Sequence, residues 1–294
     1  MLVTEQTIER PPLRYFGGKW RIASWVISHF PEHKTYCEPF GGGASVLLSK
    51  PRVECEIYND LDSEIHNFFW VLRHRTDELL DQLKNTPFGR RELLESYVAN
   101  ENPLEQARRT VVRSWMSFSS QASTGGRSGF RNFVTLSNGN KRSYGREWTD
   151  LPAELEKVAS RLRGVMLENR NGIDVIQALN SSQVLMYVDP PYLAETRSKE
   201  CRSSYRHEMS DKDHDDLLNV LTESSAMVIL SGYASERYQN ALKGWSRLSK
   251  QSYTQNSMGA GAREEVLWIN PVCQMVLDQQ NRQMGLELLI EGVS

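Results

Sequence analysis

The chain has 294 residues, 39% of them hydrophobic, and a net charge of −2, which suits one large domain or one domain with a sizeable insertion. No apolar run reaches the ~18 residues of a membrane span, and the first residues lack the apolar middle of a secretory signal. The four cysteines (Cys37, Cys55, Cys201, Cys273) form no CxxC pair, so neither a zinc site nor a disulfide framework is expected, and a reducing cytoplasm is the default location.

The small net charge hides an uneven distribution. Residues 106–146 carry eight Lys/Arg and no carboxylate, which leaves 27 basic and 37 acidic residues elsewhere. A basic island in an otherwise acidic chain is the electrostatic footprint of a polyanion partner.

In chain order, Thr35 to Pro39 predicts a short strand ended by proline, Phe40-Gly41-Gly42-Gly43 a turn, and Ala44 to Leu48 the opening of a helix. Cys55 to Asn59 predicts a second strand, and the spacing Ile65, Phe68, Phe69, Leu72 a helix. This βαβα order favours a parallel sheet with helices on its faces. Residues 76–163 break the pattern: a helical piece, Leu104 to Phe118, precedes Ser119 to Gly129, too rich in Gly and Ser for a core. The order then returns. Val184 to Val188 is a continuous apolar run of the kind buried parallel strands show. A helix over Asp213 to Leu221 and strands at Ala226 to Leu230 and Val266 to Ile269 follow. The expectation is one α/β sheet domain, in parts 1–75 and 164–294, interrupted by a mainly helical insertion at 76–163.

The glycine turn after the first strand lets backbone approach a ligand closely, and Asp60, 17 residues after Gly43, ends the next strand. There a carboxylate can meet ribose hydroxyls, as in nucleotide-binding α/β folds. No P-loop lysine follows the turn and no dinucleotide fingerprint is complete, so a phosphate-free nucleoside fits better. Glu38 is placed to meet an amino group. Tyr15-Phe16-Gly17-Gly18-Lys19 is a second glycine element with rings beside it.

Asp189-Pro190-Pro191-Tyr192 directly follows the buried strand. Two prolines make the backbone rigid and hold two acceptors together, the Asp189 carboxylate and the Pro190 carbonyl. An exocyclic amine, whose lone pair is delocalised into its ring, becomes nucleophilic when two acceptors draw on its hydrogens. The enzyme then contributes orientation and electrostatics, with no metal or covalent intermediate. Tyr192 offers a ring on which a flipped base can stack.

Taken in order, Tyr15 to Lys19, Glu38 to Gly43, Tyr58-Asn59-Asp60 and Asp189 to Tyr192 resemble the Dam-like, class α, family of adenine-N6 DNA methyltransferases over about residues 13–270. The resemblance implies a class I methyltransferase fold, a Rossmann-like mixed sheet, with a DNA-recognition domain at the basic insertion. It implies S-adenosylmethionine as methyl donor, no metal, and double-stranded DNA as partner. Tyr15 and Lys19 would contact the cofactor, Phe40, Gly41 and Gly43 its methionine side, Asp60 its ribose and the Gly172-Ile173-Asp174 segment its adenine. Val228 to Tyr233 would support the target-base pocket, and Tyr205 to Met209 would be a loop over the flipped base. On the island, Arg108 and Arg109 are candidates for phosphates, and Arg127 and Arg131 for base edges. A monomer or weak dimer is expected, with a cognate restriction endonuclease as genetic partner. GATC is the family's commonest target, but the insertion is not readable base by base. The alternatives are cytosine-N4 methylation, which the Asp at position 189 disfavours, and a non-catalytic DNA-binding protein on the same fold.

Overall fold

The computed structural model describes residues 7–120, 126–132, 135–137, 140–197, 205–256 and 259–291. For residues 135–137, 140–142, 252–256, 259–263 and 284–291 it describes the backbone alone. In chain order the elements are α1 (Ala23–Ile27), β1 (Thr35–Glu38), α2 (Ser45–Ser49), β2 (Cys55–Asn59), α3 (Ser63–His74), α4 (Thr76–Lys84), α5 (Arg90–Ser96) and α6 (Pro103–Met116). A short hairpin, β3 (Thr135–Ser137) and β4 (Asn140–Arg142), precedes α7 (Tyr144–Thr149), α8 (Leu151–Arg161), β5 (Val165–Glu168), α9 (Gly172–Ala178) and β6 (Val184–Val188). The chain continues with α10 (Asp211–Thr222), β7 (Met227–Tyr233), α11 (Glu236–Ala241), β8 (Ser246–Asn256), β9 (Gly259–Ile269) and α12 (Pro271–Glu291). No helix among the described residues is long and apolar enough to cross a membrane.

Seven strands form one mixed sheet in the order β5-β2-β1-β6-β7-β9-β8. The first five are parallel, whereas β9 runs antiparallel to both β7 and β8. This is the class I methyltransferase arrangement that the sequence led us to expect. The central β6 is buried at every position, as a continuous apolar run requires. Alternation sends Tyr36, Tyr58, Leu185, Tyr187 and Ile229 to one core, and Cys37, Ile57, Met186, Val188 and Leu230 to the other. Two strands of this sheet, β5 and β8, escaped the sequence reading, as did the separate β3–β4 hairpin. The edge strand β5 is only four residues long and leaves Met166 exposed, and most of the β8–β9 hairpin is polar before Val266.

Local chemistry sets the helix boundaries. Asn102 caps α6 through the Leu104 and Glu105 amides, with Pro103 in its first turn, and α6 ends where Ser117 turns extended, two residues short of the predicted Phe118. Ser210 and Asp213 form a reciprocal capping box at the start of α10. Part of the Ser119 to Gly129 stretch, residues 121–125, lies outside the described residues, as do residues 133–134 and 138–139 of the island.

Helices α4 to α8, the predicted insertion, share one apolar core with the sheet: Leu79, Leu93, Val111 and Leu155 pack in the same cluster as Tyr58 and Leu185. A buried ion cluster fastens its last helix to the sheet. Glu56 on β2 accepts two hydrogen bonds from Arg161 on α8, at 2.6 and 2.9 Å, and one from Lys50 at 2.7 Å. Burial opposes the Glu56 charge, but these bonds hold its carboxyl below the usual range. Such a group adds stability above its ordinary pKa, and that stability fades as pH falls through the depressed value. Glu56→Gln should therefore cost about 3–5 kcal/mol at pH 7 by urea unfolding, because two buried cations lose their counter-charge. The difference from wild type should shrink in acid.

Candidate active site

The site lies where the topology reverses. From β1 the chain moves to β2 on one side, and from β6 to β7 on the other, so a crevice opens at the carboxyl ends of these two neighbours. Tyr15, Lys19, Glu38, Phe40, Gly41, Gly43, Asp60, Ile173, Asp189 and Pro191 all line one cavity there. Of the residues predicted for cofactor and catalysis, only Pro190 and Tyr192 stand behind its wall, both buried.

The glycine turn is built on the next strand. The Asp60 carboxylate accepts the Gly42 amide at 2.7 Å and the Asp62 amide at 2.8 Å. The Tyr58 hydroxyl donates to the Gly42 carbonyl at 2.7 Å. Asn59, fully buried, donates to the Pro39 and Arg170 carbonyls and accepts the Arg170 amide, joining the ends of β1, β2 and β5. Gly42 has φ +47°, and a Cβ at Gly41 would sit 2.2 Å from the Tyr58 ring. The turn thus needs glycine first for its own packing, and that packing leaves its backbone bare towards the cavity.

Burial pushes the Asp60 carboxyl up to about 6, against the two amides that stabilise its charge. Glu38 accepts the Tyr36 hydroxyl at 2.7 Å, and burial pushes its carboxyl up to about 8.

Asp189 follows β6 and meets Lys19 from the N-terminal glycine element, Nζ to Oδ2 at 2.9 Å. Lys19 also donates to the Gly17 carbonyl at 2.8 Å and lies 4.6 Å from the centre of the Tyr192 ring. Asp189 Oδ1 is buried and has no hydrogen-bond partner among the described residues. Burial raises the Asp189 carboxyl and Lys19 opposes the rise. The ammonium itself is held above its ordinary value, with Asp189 and Glu265 outweighing its desolvation.

Tyr192 is less free than the sequence suggested. Its hydroxyl pairs with Ser231 Oγ at 2.9 Å and donates to Glu265 Oε2 at 3.0 Å, while the Tyr233 ring packs edge-on against it. Ser231 lies in the segment predicted to support the site, but Glu265 was not anticipated. The one available signal was an acid directly preceding the buried run Val266 to Ile269. Arg197 and Arg206 were also missed. The predicted Tyr205 to Met209 segment lies over this same cavity, beside Asp60 and Tyr15.

The basic island is partly neutralised by the fold. Arg108 pairs with Glu105 and Glu92, and Arg109 with Glu105. Arg113 pairs with Glu64. Glu105 directly precedes the 106–146 window and Glu64 and Glu92 lie far from it in sequence, so all three fell outside the charge count, and Arg108 and Arg109 both bond to Glu105. Arg131 donates to the Ser117 and Phe118 carbonyls, bracing the loop base. Arg127 is exposed, its guanidinium 5.4 Å from the Tyr97 ring.

The model of the D12 class N6 adenine-specific DNA methyltransferases matches residues 15–256. The DNA N-6-adenine-methyltransferase of Escherichia phage P1 is 29% identical over 72 residues, 24% of this chain and 9% of that protein. Modification methylase StsI of Streptococcus sanguinis is 25% identical over 206 residues, 64% of this chain and 29% of its own. The chain therefore spans less than a third of either relative. A solved precorrin 8W decarboxylase from Methanobacterium thermoautotrophicum covers 85% of this chain and 89% of its own at 8% identity and a TM-score of 0.34, too slight a likeness to argue from.

Because the Tyr192 hydroxyl makes two buried hydrogen bonds, Tyr192→Phe should be costly. A loss of about 1–3 kcal/mol in urea unfolding is expected, where a ring used for stacking alone would give no change.

Proposed function

The chain belongs to the D12 class N6 adenine-specific DNA methyltransferase family, and from that premise we propose that it methylates the N6 of a flipped adenine at a specific site in double-stranded DNA. The observation that carries this reading is the split at Asp189: Oδ2 is fixed by Lys19, and Oδ1 is left as a buried acceptor beside the cavity.

S-adenosylmethionine, the methyl donor that the family implies, supplies an electrophilic methyl group on a sulfonium. The cavity suits such a nucleoside. It offers bare glycine backbone, Asp60 for ribose hydroxyls, Glu38 for an amino group and Phe40 with Ile173 as apolar walls. Asp189 Oδ1 accepts one hydrogen of the adenine amine and the Pro190 carbonyl the other, which localises the lone pair on nitrogen for in-line attack. Burial favours the protonated Asp189 carboxyl, so Asp189 can receive the proton that the amine sheds. A base within a duplex cannot reach so buried an atom, which requires flipping. Tyr192, locked by Ser231 and Glu265, gives the pocket a rigid ring.

The insertion at 76–163 takes the recognition role, with the exposed Arg127 as its leading DNA contact. Likeness to a protein named a modification methylase makes restriction–modification the setting we favour.

Asp189→Asn should lower turnover by about 10²–10³-fold while cofactor affinity survives. Methyl incorporation into duplex DNA and equilibrium dialysis check the two halves, and near-normal turnover would remove Asp189 from the chemistry. A pH dependence follows as well. With the carboxyls of Asp60 at about 6 and Glu38 at about 8, both are protonated below those values and accept poorly. Cofactor affinity should therefore rise with pH across this window, with proton release on binding seen by calorimetry in two buffers. Glu38→Gln should flatten the upper part of the curve.

A further inference from the structure

Four buried tyrosines, Tyr36, Tyr58, Tyr187 and Tyr192, lie on or behind the cavity wall. Three of them give their hydroxyl protons to the protein: Tyr36 donates to Glu38 at 2.7 Å, Tyr58 to the Gly42 carbonyl at 2.7 Å and Tyr192 to Glu265 at 3.0 Å. Tyr187 is the exception. It lines the cavity, is 3% exposed, and its hydroxyl makes no hydrogen bond among the described residues. Ser231 lies close enough to favour the ionised phenol, but its own hydroxyl is engaged with Tyr192. Burial, with the Asp189 charge beside it, holds the Tyr187 hydroxyl well above the ordinary phenol range, so it remains a donor. A buried donor left unmade destabilises a fold, and a ligand that accepts it recovers the loss.

The sheet sets this donor beside Glu38. In the parallel β1–β6 pair Tyr36 stands opposite Leu185 and Cys37 opposite Met186, so the next step brings Glu38 opposite Tyr187. Tyr36, Leu185 and Tyr187 all enter one core. Alternation along each strand therefore puts Glu38 and Tyr187 on the same face, on strands about 5 Å apart. An acceptor and a donor side by side match an α-amino acid, which carries its ammonium and its carboxylate on a single carbon. Resting on the methyltransferase reading for the identity of the cofactor, we propose that Tyr187 is a further cofactor-binding residue, its hydroxyl taking the carboxylate of S-adenosylmethionine while Glu38 takes the amino group.

The test is equilibrium dialysis of the full chain against S-adenosylmethionine and against its decarboxylated analogue, which lacks the carboxylate alone. Phenylalanine keeps the ring, whose centre lies 6.2 Å from that of Phe30. Tyr187→Phe should weaken S-adenosylmethionine about tenfold, as for one hydrogen bond to a charged group, and leave the analogue within about twofold of wild type. Glu38→Gln should weaken both ligands, because both keep the amino group. Urea unfolding of the ligand-free chain is the second measurement. Tyr187→Phe should be as stable as wild type or more so, since it removes a donor that the protein leaves unmade. A stability loss like that expected of Tyr192→Phe would show the hydroxyl already partnered within the fold and overturn the assignment. Weakening of both ligands alike by Tyr187→Phe, or of neither, would overturn it too, while leaving the methyltransferase reading intact. A wild-type chain that bound no S-adenosylmethionine would overturn that reading and the assignment with it.

Discussion

The ion pair between Lys19 and Asp189 is the constraint around which the site is arranged. In the reaction proposed above, the acceptor for a poorly nucleophilic amine has to be out of water, yet an isolated buried carboxylate takes up a proton instead of remaining charged. A protonated carboxyl would present a donor where an acceptor is needed. One cation placed on one oxygen opposes that uptake and leaves the other oxygen available. Lys19 is positioned by the left-handed Gly17, whose carbonyl it meets, and by the Tyr192 ring beneath it. Tyr192 is in turn fixed by Ser231 and Glu265. Four separated stretches of chain therefore converge on a single carboxylate oxygen.

This convergence explains what the sequence could and could not reveal. Asp189 to Tyr192 and Tyr58 to Asp60 were legible because each performs its task within a few residues of a strand end. The class of the sheet was legible for the same reason, since β6 and β7 announce themselves as apolar runs and β1 and β2 each end at a marked residue, Pro39 and Asp60. Ser231 and Glu265 come from β7 and β9, neighbours only in the folded sheet, and nothing local marks their polar groups as partners of Tyr192. Arg197 and Arg206 look like ordinary charged residues in a polar stretch until Glu208 and Asp62 are seen opposite them. Gly41 was read as clearance for a ligand, but its missing Cβ is occupied first by the Tyr58 ring. The arginine island errs in the opposite direction. Charge was counted over residues 106–146, whereas Glu105 stands one residue before that window on the same helix and Glu64 and Glu92 reach the island through space.

The insertion is bound into the sheet domain more closely than its sequence suggested. It shares the sheet's apolar core, and two glutamates on the sheet side hold it. Glu56 takes Arg161 of α8, and Glu64 takes Arg113 of α6. Glu64 also receives Arg206 from the cavity wall. One carboxylate is thus common to the insertion and to the wall of the cavity.

The acids of the chain then separate by what answers their charge. Glu56 is met by two cations and its carboxyl is held low. Glu38 is met by a phenol, and Asp60 by two amides, and burial dominates both. A protein seeking stability alone would pair these two as it pairs Glu56, because an underpaired buried carboxylate is a net cost. They lie instead on the wall of one cavity, with Asp189 nearby. Below about pH 8 Glu38 is neutral, and a ligand bearing positive charge favours the ionised form of both acids, relieving the desolvation that the fold has left uncompensated.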